Sequence, residues 1–225
     1  LAFDGASFVM NGDGVLVHQV PDWREELRIT HWEREDDTWH CVPGDIAPLC
    51  PYPEDVYSAM IVGLRDYVNR NRFPGVVLGL SGGIDSALSA AVAVDALGAD
   101  RVWCVMMPSR FTSQDSLDDA AGCAKMLGVR LDTIAIEPAM DAFDTMLADV
   151  FTGRGSDITE ENIQSRIRGV TLMALSNKFG HMLLTTGNKS EMSVGYATIY
   201  GDMAGGYSVL KDAYKTTVFD LSRWR

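Results

Sequence analysis

VVLGLSGGIDSALSAAVAVDAL, the sequence of residues 76–97, predicts a strand, a glycine turn and a helix in immediate succession. Residues 76–80 are apolar and include β-branched valines, which is typical of a buried parallel strand. Ser81-Gly82-Gly83 supplies two residues that tolerate positive φ, and the run rich in Ala and Leu then favours a helix until Gly98. This order brings backbone N–H groups and a helix N-terminus to one point. The stretch therefore predicts an anion-binding turn suited to phosphate.

Two other interpretations of this turn remain open from the residues alone. Adjacent glycines are common in loops, so the turn is also compatible with a simple strand-to-helix connection. Residues 79–83 match G-x-S-x-G as well, the pattern of a hydrolase nucleophile elbow. Such a hydrolase needs an acid and then a histidine further along the chain. The only histidine after Ser81 is His181, at the start of an apolar run predicted to be a strand, so we favour the phosphate loop.

Asp85 gives the predicted phosphate loop a second property. The loop is not of the Walker type, because no Lys follows its glycines. A carboxylate beside a phosphate is unfavourable unless a divalent cation lies between them. Asp85 therefore predicts Mg²⁺ as the cofactor of this site.

The hexapeptide from Ser81 to Ser86 resembles the pyrophosphate loop of the ATP pyrophosphatases. These enzymes cleave ATP between the α- and β-phosphates and transfer AMP to a substrate oxygen. The family includes NAD, GMP, asparagine and argininosuccinate synthetases. The resemblance implies that the following residues bind ATP: Gly79, Leu80, Ser81, Gly82, Gly83, Ile84, Asp85 and Ser86.

Length, charge and cysteine content narrow the function further. A chain of 225 residues can hold one well-buried domain with additional segments. Its formal net charge of −12 disfavours a nucleic-acid partner, although a nucleotide can still bind a local cradle. Cys41, Cys50, Cys104 and Cys123 lack C-x-x-C spacing, which predicts reduced thiols in a cytoplasmic protein. No apolar run approaches the roughly 18 residues of a membrane span, so we expect no membrane partner.

Residues 1–43 differ in character from the rest and predict short strands. Asn11-Gly12-Asp13-Gly14 lies between two apolar runs and predicts a hairpin. Leu27–Trp32 and Trp39–Val42 predict further strands. Residues 3–9 resemble the closing strands of a nitrilase-type glutaminase domain, which precedes the synthetase domain in glutamine-dependent NAD synthetases.

That resemblance implies that residues 1–43 are the C-terminal remnant of a glutaminase domain, whose Glu-Lys-Cys machinery would lie upstream of Leu1. The start at Leu1 rather than Met is in keeping with a fragment or a processed product. A β extension without a separate role is the alternative. The proline-rich residues 44–53 are predicted to be a linker.

Residues 54–225 alternate between helical and strand patterns, beginning with a helix predicted over Glu54–Arg72. This alternation predicts an α/β fold with a doubly wound parallel sheet flanked by helices. The resemblance implies an adenine nucleotide alpha hydrolase-like fold that is C-terminally incomplete, with adenine near the ends of the first two strands. The remaining predicted elements are strands at Arg101–Met107, Leu131–Ile136 and His181–Thr186, and helices at Asp115–Leu127, Ala139–Phe151, Glu160–Phe179 and Ala213–Arg225.

The helix predicted from Glu160 carries Asn162 and Arg166 four residues apart on one side. Asp157 and Thr159 are candidate caps for it, and its predicted buried face consists of Ile163, Ile167, Val170 and Ala174. Residues 160–168 resemble the helix of NAD synthetases that contacts the dinucleotide, so Asn162 and Arg166 are implied to bind substrate. A solvated charged face is the alternative.

The run from Thr186 to Glu191 follows a predicted strand, at the sheet edge where doubly wound folds bind ligands. It resembles the second signature of NAD synthetases. Thr186 matches an ATP-binding position, and Glu191 matches a residue that binds Mg²⁺ or the deamidated dinucleotide. Asp85 and Glu191 would then supply two oxygen ligands to Mg²⁺, with waters and phosphates completing the octahedron.

Residues 196–212 carry little helix or strand signal and are predicted to form a loop that closes over the site. The resemblance places Asp202 near the substrate carboxylate and Lys211 near the ATP phosphates. An ordinary surface loop is the alternative.

Taken together, the resemblance implies a C–N ligase of NAD biosynthesis. Deamido-NAD (nicotinic acid adenine dinucleotide) would be adenylated by ATP, and ammonia, derived from glutamine or free, would displace AMP. Asp85 and Lys211 are the predicted catalytic residues, and a homodimer or larger homo-oligomer is expected. A GMP synthetase and a catalytically silent nucleotide-binding module are the alternatives.

Overall fold

The computed structural model describes residues 2–225, whose internal contacts separate the residues up to Gly63 from Leu64–Arg225. Four short strands lie in the first unit: β1 (Phe8–Met10), β2 (Leu16–Gln19), β3 (Trp32–Glu35) and β4 (Thr38–Cys41). They pair as two antiparallel hairpins, β1 with β2 and β3 with β4. The short β extension expected at the N-terminus is therefore present.

The sequence predicted the first hairpin correctly and one later strand wrongly. In the β1–β2 turn, the N–H of Gly14 donates to the carbonyl of Asn11 at 2.9 Å. The strand predicted over Leu27–Trp32 is absent up to His31, and β3 starts only at Trp32, which pairs with Cys41. Leu27 is 87% exposed, so the apolar residues of that run are not buried as a strand face would require.

Helix α1 (Glu54–Arg70) crosses the boundary between the two units and confirms the predicted helix to within two residues. The predicted division at residue 54 stays a prediction. The second unit continues with these elements: β5 (Val76–Gly79), α2 (Ile84–Leu97), β6 (Val102–Met106), α3 (Gln114–Leu127), β7 (Arg130–Thr133), α4 (Glu137–Leu147), α5 (Ile158–Phe179), β8 (Met182–Thr185), α6 (Lys189–Val194), β9 (Tyr207–Ser208) and α7 (Lys215–Trp224).

The strands of the second unit form one parallel sheet in the order β7-β6-β5-β8-β9, flanked by helices. The doubly wound α/β fold is therefore confirmed. The chain builds outward from β5 through β6 and β7, and then returns to the other side of β5 with β8. This reversal leaves a crevice at the carboxyl ends of β5 and β8, where ligands bind in such sheets.

The central strand β5 is buried on both faces, since Val76, Val77 and Leu78 are fully inaccessible. Val77 packs in one apolar cluster with residues of β6 and β8 and with Leu172 of α5. Helix α5 therefore packs on one face of the sheet, next to the crevice.

Two of the four residues predicted to form the buried face of α5 are exposed. Ile167 is buried as expected, but Val170 is 67% exposed and Ala174 is exposed as well. Leu172 takes their place in the core. At Gly169 the helix lies against the carbonyl of Gly201, so this turn packs against a loop backbone rather than against apolar side chains.

Smaller boundary differences have local causes. Asp157 caps α5, accepting from the N–H of Thr159 at 2.8 Å, so the predicted cap at Asp157 is confirmed and Thr159 lies inside the helix. The third parallel strand stops at Thr133, because the N–H of Ile136 leaves the ladder to bond the Pro108 carbonyl. Among residues 2–225, no helix is long and apolar enough to cross a membrane.

Candidate functional site

The predicted phosphate loop connects β5 to α2 at the crevice. Gly82 has φ +84°, and a Cβ at this position would lie 2.3 Å from the carbonyl oxygen of Ser116. Both the backbone conformation and the contact therefore require glycine here. The loop runs directly beneath the N-terminus of α3 because nothing larger than hydrogen separates the two backbones.

Serine hydroxyls hold the loop in shape. The Ser86 hydroxyl donates to the carbonyl of Gly83 at 2.9 Å and accepts from the N–H of Ser81 at 3.2 Å. The Ser81 hydroxyl accepts from the N–H of Gly83 at 3.2 Å and lies 3.1 Å from the Ser86 hydroxyl. No side chain among residues 2–225 caps the N-terminus of α2, whose first N–H groups are therefore available to an anion.

A cavity of about 540 Å³ opens beside the loop, at the carboxyl ends of β5, β6 and β8. Arg168 of α5 lines it, donating through Nε to the Met107 carbonyl at 3.3 Å. Burial lowers the pKa of the Arg168 guanidinium, and this group forms no ion pair within residues 2–225. The cavity thus combines apolar walls with the positive charge of Arg168 and the carboxylate of Asp202. Its lining includes Gly79, Ser81, Met107, Phe111, Arg168 and Thr186.

Asp85 is the acidic centre of the site. Its Oδ1 accepts from the side-chain amide of Asn188 at 3.1 Å, and its Oδ2 pairs with the ammonium of Lys215. Asp85 lies in the first turn of α2, Asn188 before α6 and Lys215 at the first position of α7. Three segments distant in sequence therefore converge on one carboxylate.

Glu191 belongs to the same constellation through Asn188. Its Oε2 accepts from the N–H of Asn188 at 2.9 Å, while its own N–H donates to the Asn188 side chain at 3.0 Å. This is a capping box at the start of α6. The structure therefore connects Asp85 and Glu191, the two predicted metal ligands, through a single buried amide.

The donor set fits a magnesium ion held together with a nucleotide. Within the described part of the chain, no group of three or more His, Cys, Asp or Glu side chains forms a complete metal site. Mg²⁺ is usually bound by one or two carboxylates together with waters and substrate phosphates, rather than by an all-protein cage. Asp85 and Glu191 would supply these two carboxylates, and the adjacent loop is suited to bind the substrate phosphates.

The predicted substrate residues meet at the loop that follows α6. Asn162 accepts from the Thr198 hydroxyl at 3.0 Å, and Arg166 donates to the Ile199 carbonyl at 3.2 Å. Asp202 accepts from the N–H of Thr198 at 2.7 Å. All three side chains therefore contact the same segment, which ties α5 to the predicted closing loop.

Lys211 and Lys215 occupy different places. Lys211 lines a second cavity of about 270 Å³ together with Glu191 and Asp202, on the side of the predicted substrate residues. Lys215 instead holds Asp85 at the phosphate loop. Lys215 was not among the residues predicted from the sequence, and Asn188 had no predicted role. The available signal for Lys215 was its place at the start of the last helix, just after the glycine-rich loop.

The structure contradicts the nucleophile-elbow interpretation. Ser81 lies at the carboxyl end of β5, whereas His181 precedes the amino end of β8, a parallel neighbour. The two residues are therefore at opposite edges of the sheet. The Ser81 hydroxyl bonds to loop atoms instead of to an imidazole.

Comparisons with known proteins point in one direction. A family model described as NAD synthase matches residues 56–225. The chain is 60% identical over 223 residues to a glutamine-dependent NAD(+) synthetase of Rhodobacter capsulatus, covering 99% of this chain and 40% of that protein. A counterpart in Acinetobacter baylyi is 48% identical over 225 residues, which cover 100% of this chain and 41% of the relative.

Solved structures agree with the sequence relatives. A glutamine-dependent NAD+ synthetase from Acinetobacter baumannii, in complex with ADP, superposes with a TM-score of 0.93 at 49% identity, covering 99% of this chain and 42% of that one. An NH3-dependent NAD synthetase from Campylobacter jejuni gives a TM-score of 0.70 at 31% identity, covering 76% of this chain and 72% of that one. The chain spans about 40% of the length of the curated relatives it matches.

Proposed function

The chain belongs to the NAD synthase family, and from that premise we propose that its protein amidates deamido-NAD to NAD+ with ATP and Mg²⁺. The protein would be a ligase forming a C–N bond, with AMP and pyrophosphate as products. One observation carries the proposal. The glycine loop, the Asp85–Lys215 ion pair and the Asn188–Glu191 capping box come together at one edge of the sheet.

ATP would bind with its phosphates at the loop from Ser81 to Ser86 and at the N-terminus of α2. The uncapped N–H groups there, together with the helix dipole, favour the negative charge of the departing pyrophosphate. The nucleoside would extend into the cavity of about 540 Å³, in which Thr186 and Arg168 present polar groups. Lys215 is close enough to Asp85 to neutralise phosphate charge at the same place.

Asp85 and Glu191 are the residues that would hold Mg²⁺. When bound, the ion would neutralise phosphate charge and orient the leaving group. The chain's own part is to position the reactants. Carboxylates are poor electrophiles, so the nicotinate carboxylate would first attack the α-phosphorus of ATP, breaking its bond to the bridging oxygen and releasing pyrophosphate. The carboxylate oxygen then belongs to AMP, which is a good leaving group. Ammonia then attacks the acyl carbon and AMP departs.

The acid substrate would lie on the Asn162, Arg166 and Asp202 side of the site. These residues contact the loop at Thr198 and Ile199, so substrate binding and loop closure would be coupled. Lys211 lines the second cavity together with Asp202 and the predicted Mg²⁺ ligand Glu191. The ATP phosphates remain the predicted target of Lys211, and Lys215 is a second candidate for binding them.

Other properties of the protein follow as proposals. The nitrogen source would be glutamine, because the relatives are named glutamine-dependent synthetases. Residues 1–43 would then be the C-terminal end of a glutaminase domain. All four cysteines are free, in keeping with a reducing compartment such as the cytoplasm.

We also propose a homodimer or larger homo-oligomer, because α5 leaves Val170 67% exposed on an apolar groove shared with Met173 and Ala174.

A pyrophosphate-release assay on the full-length protein tests the proposed function. We expect release over many turnovers only when ATP, Mg²⁺, deamido-NAD and either glutamine or ammonia are all present, and at most one pyrophosphate per site when the nitrogen source is left out. Xanthosine monophosphate in place of deamido-NAD should give no release, and a positive result with it would identify a GMP synthetase. Nucleotide binding without any release under all these conditions would identify a silent module.

A further inference from the structure

Asn188 is one of few polar side chains that the fold buries. It is 1% exposed and lies between the end of β8 and the start of α6. A buried amide is costly unless its donors and acceptor are bonded. The hydrogen-bond partners of Asn188 therefore indicate its role.

Both side-chain polar atoms of Asn188 and its backbone N–H bond to the two predicted metal ligands. The side-chain Nδ2 donates to Oδ1 of Asp85 at 3.1 Å, and the side-chain Oδ1 accepts from the N–H of Glu191 at 3.0 Å. The backbone N–H of Asn188 donates to Oε2 of Glu191 at 2.9 Å. The same residue thus fixes the Asp85 carboxylate from its side chain and the Glu191 carboxylate from its backbone.

These bonds leave one oxygen on each carboxylate for a cation. In Asp85 the bonded oxygen is Oδ1, and the other oxygen already faces a positive charge, the ammonium of Lys215. In Glu191 the bonded oxygen is Oε2, and Oε1 accepts no hydrogen bond from residues 2–225. The arrangement is that of an outer residue which orients metal ligands.

A helix cap alone does not explain an asparagine at this position. Serine and threonine cap helices about as well, using a single side-chain oxygen. Only the bond to Asp85 uses the amide donor, and it joins residues 103 apart in the chain. The amide group therefore has a second purpose that is separable from capping.

We infer that Asn188 is a positioning residue, which holds the carboxylates of Asp85 and Glu191 in the arrangement that receives one divalent cation with the nucleotide. This inference rests on the proposed magnesium-dependent function. Asn188 itself does not contact the cation or the reacting atoms. It acts by orienting two ligands that come from opposite sides of the crevice between β5 and β8.

The test uses the full-length protein with Mn²⁺ as the probe ion and a non-hydrolysable ATP analogue, and it measures free Mn²⁺ by electron paramagnetic resonance. Asn188→Ser and Asn188→Thr keep a capping oxygen but remove the amide. Loss of an outer residue commonly costs about 10- to 100-fold in metal affinity, so we expect the Mn²⁺ dissociation constant to rise at least about 10-fold in both. Their thermal midpoints should stay near that of the wild type.

Two control variants separate positioning from capping. Asn188→Ala loses the cap and the amide, so it should lose stability as well as Mn²⁺ affinity. Asp157→Ser exchanges the exposed cap of α5 and should leave Mn²⁺ affinity unchanged. Wild-type Mn²⁺ affinity in the serine and threonine variants would overturn the inference and leave Asn188 as a cap only. If the wild type binds no Mn²⁺ with the analogue, the proposed function itself is wrong, and the inference falls with it.

Discussion

Lys215 and Asp85 form an ion pair across 130 residues of sequence, at the point where the phosphate loop enters α2. The side chain of Asp85 is only 18% exposed, so its negative charge is poorly hydrated and needs a partner. Lys215 supplies that partner in this structure. A metal–nucleotide complex would bring both a cation for Asp85 and phosphates for Lys215, so both charges would stay compensated after an exchange of partners.

Replacing Lys215 with Met should lower kcat/KM for ATP by about 100-fold, the scale of a lost charge-stabilising group. Steady-state kinetics with the full-length protein measures this. Lys125→Met, on the exposed end of α3, is the control for loss of one positive charge. Lys211→Met tests the lysine that the sequence analysis predicted. If Lys211→Met loses more activity toward ATP than Lys215→Met, the assignment of Lys215 to the phosphates is wrong.

Asp85→Ala should lower Mg²⁺-dependent turnover by at least about 100-fold, since it removes a predicted metal ligand and leaves Lys215 without its partner. The measurement is turnover as a function of Mg²⁺ concentration. Asp119→Ala, an exposed carboxylate on α3, should behave like the wild type. Turnover of Asp85→Ala within a few-fold of the wild type would count against a metal site at this carboxylate.

Gly82→Ala should destabilise the protein and weaken ATP binding together. The positive φ and the 2.3 Å approach of the new Cβ to the Ser116 carbonyl would force the loop away from α3. We expect a loss of about 1–3 kcal/mol in the free energy of unfolding, the usual cost of such strain. Gly122→Ala is the matched control, because a Cβ there meets nothing within 4 Å and a helical alanine stabilises. Equal midpoints for the two variants would refute the argument.

The cysteines offer a prediction about pH. A hydrogen bond with Asp22 raises the pKa of Cys50 to about 11, and burial raises that of Cys104 to about 12. As pH rises above 9, unfolded chains lose thiol protons that the folded protein keeps, so stability should fall. Asp22→Asn should lower the Cys50 pKa and speed its reaction with iodoacetamide at pH 8, while Cys104 stays slow. An unchanged Cys50 rate would contradict the role of Asp22.

The local sequence predicted the first strand–turn–helix unit well because the conformation of this unit depends on residues that are close together in the chain. Strand β5 and helix α2 lie where the stretch at 76–97 placed them, and Gly98 follows the last helical residue. Periodicity failed on α5, where Val170 was predicted to be buried and is exposed. Gly169 meets the Gly201 backbone there, and a hydrophobic pattern carries no information about such a contact.

The geometry of the candidate site could be expected from the sequence where a short motif contains its residues, and not where residues distant in the chain meet. Asp85 and Glu191 lie in such motifs, and the structure connects them through Asn188. Lys215 became visible only once α7 was seen to begin beside α2. The sequence offered two lysines four residues apart, Lys211 in a predicted loop and Lys215 in a predicted helix, and neither pattern says which of them faces the phosphate loop.

The order of the elements along the chain has a consequence for biosynthesis. A ribosome makes the glycine loop and Asp85 before their partners, since Asn188 follows Asp85 by 103 residues and Lys215 follows it by 130 residues. Until α7 has left the exit tunnel and docked on α2, where Arg225 bonds to Asp95, the nascent polypeptide carries an uncompensated carboxylate beneath its nucleotide cradle. Capture of the metal and nucleotide at Asp85 is thus deferred until the segment that carries Lys215 has been synthesised and docked.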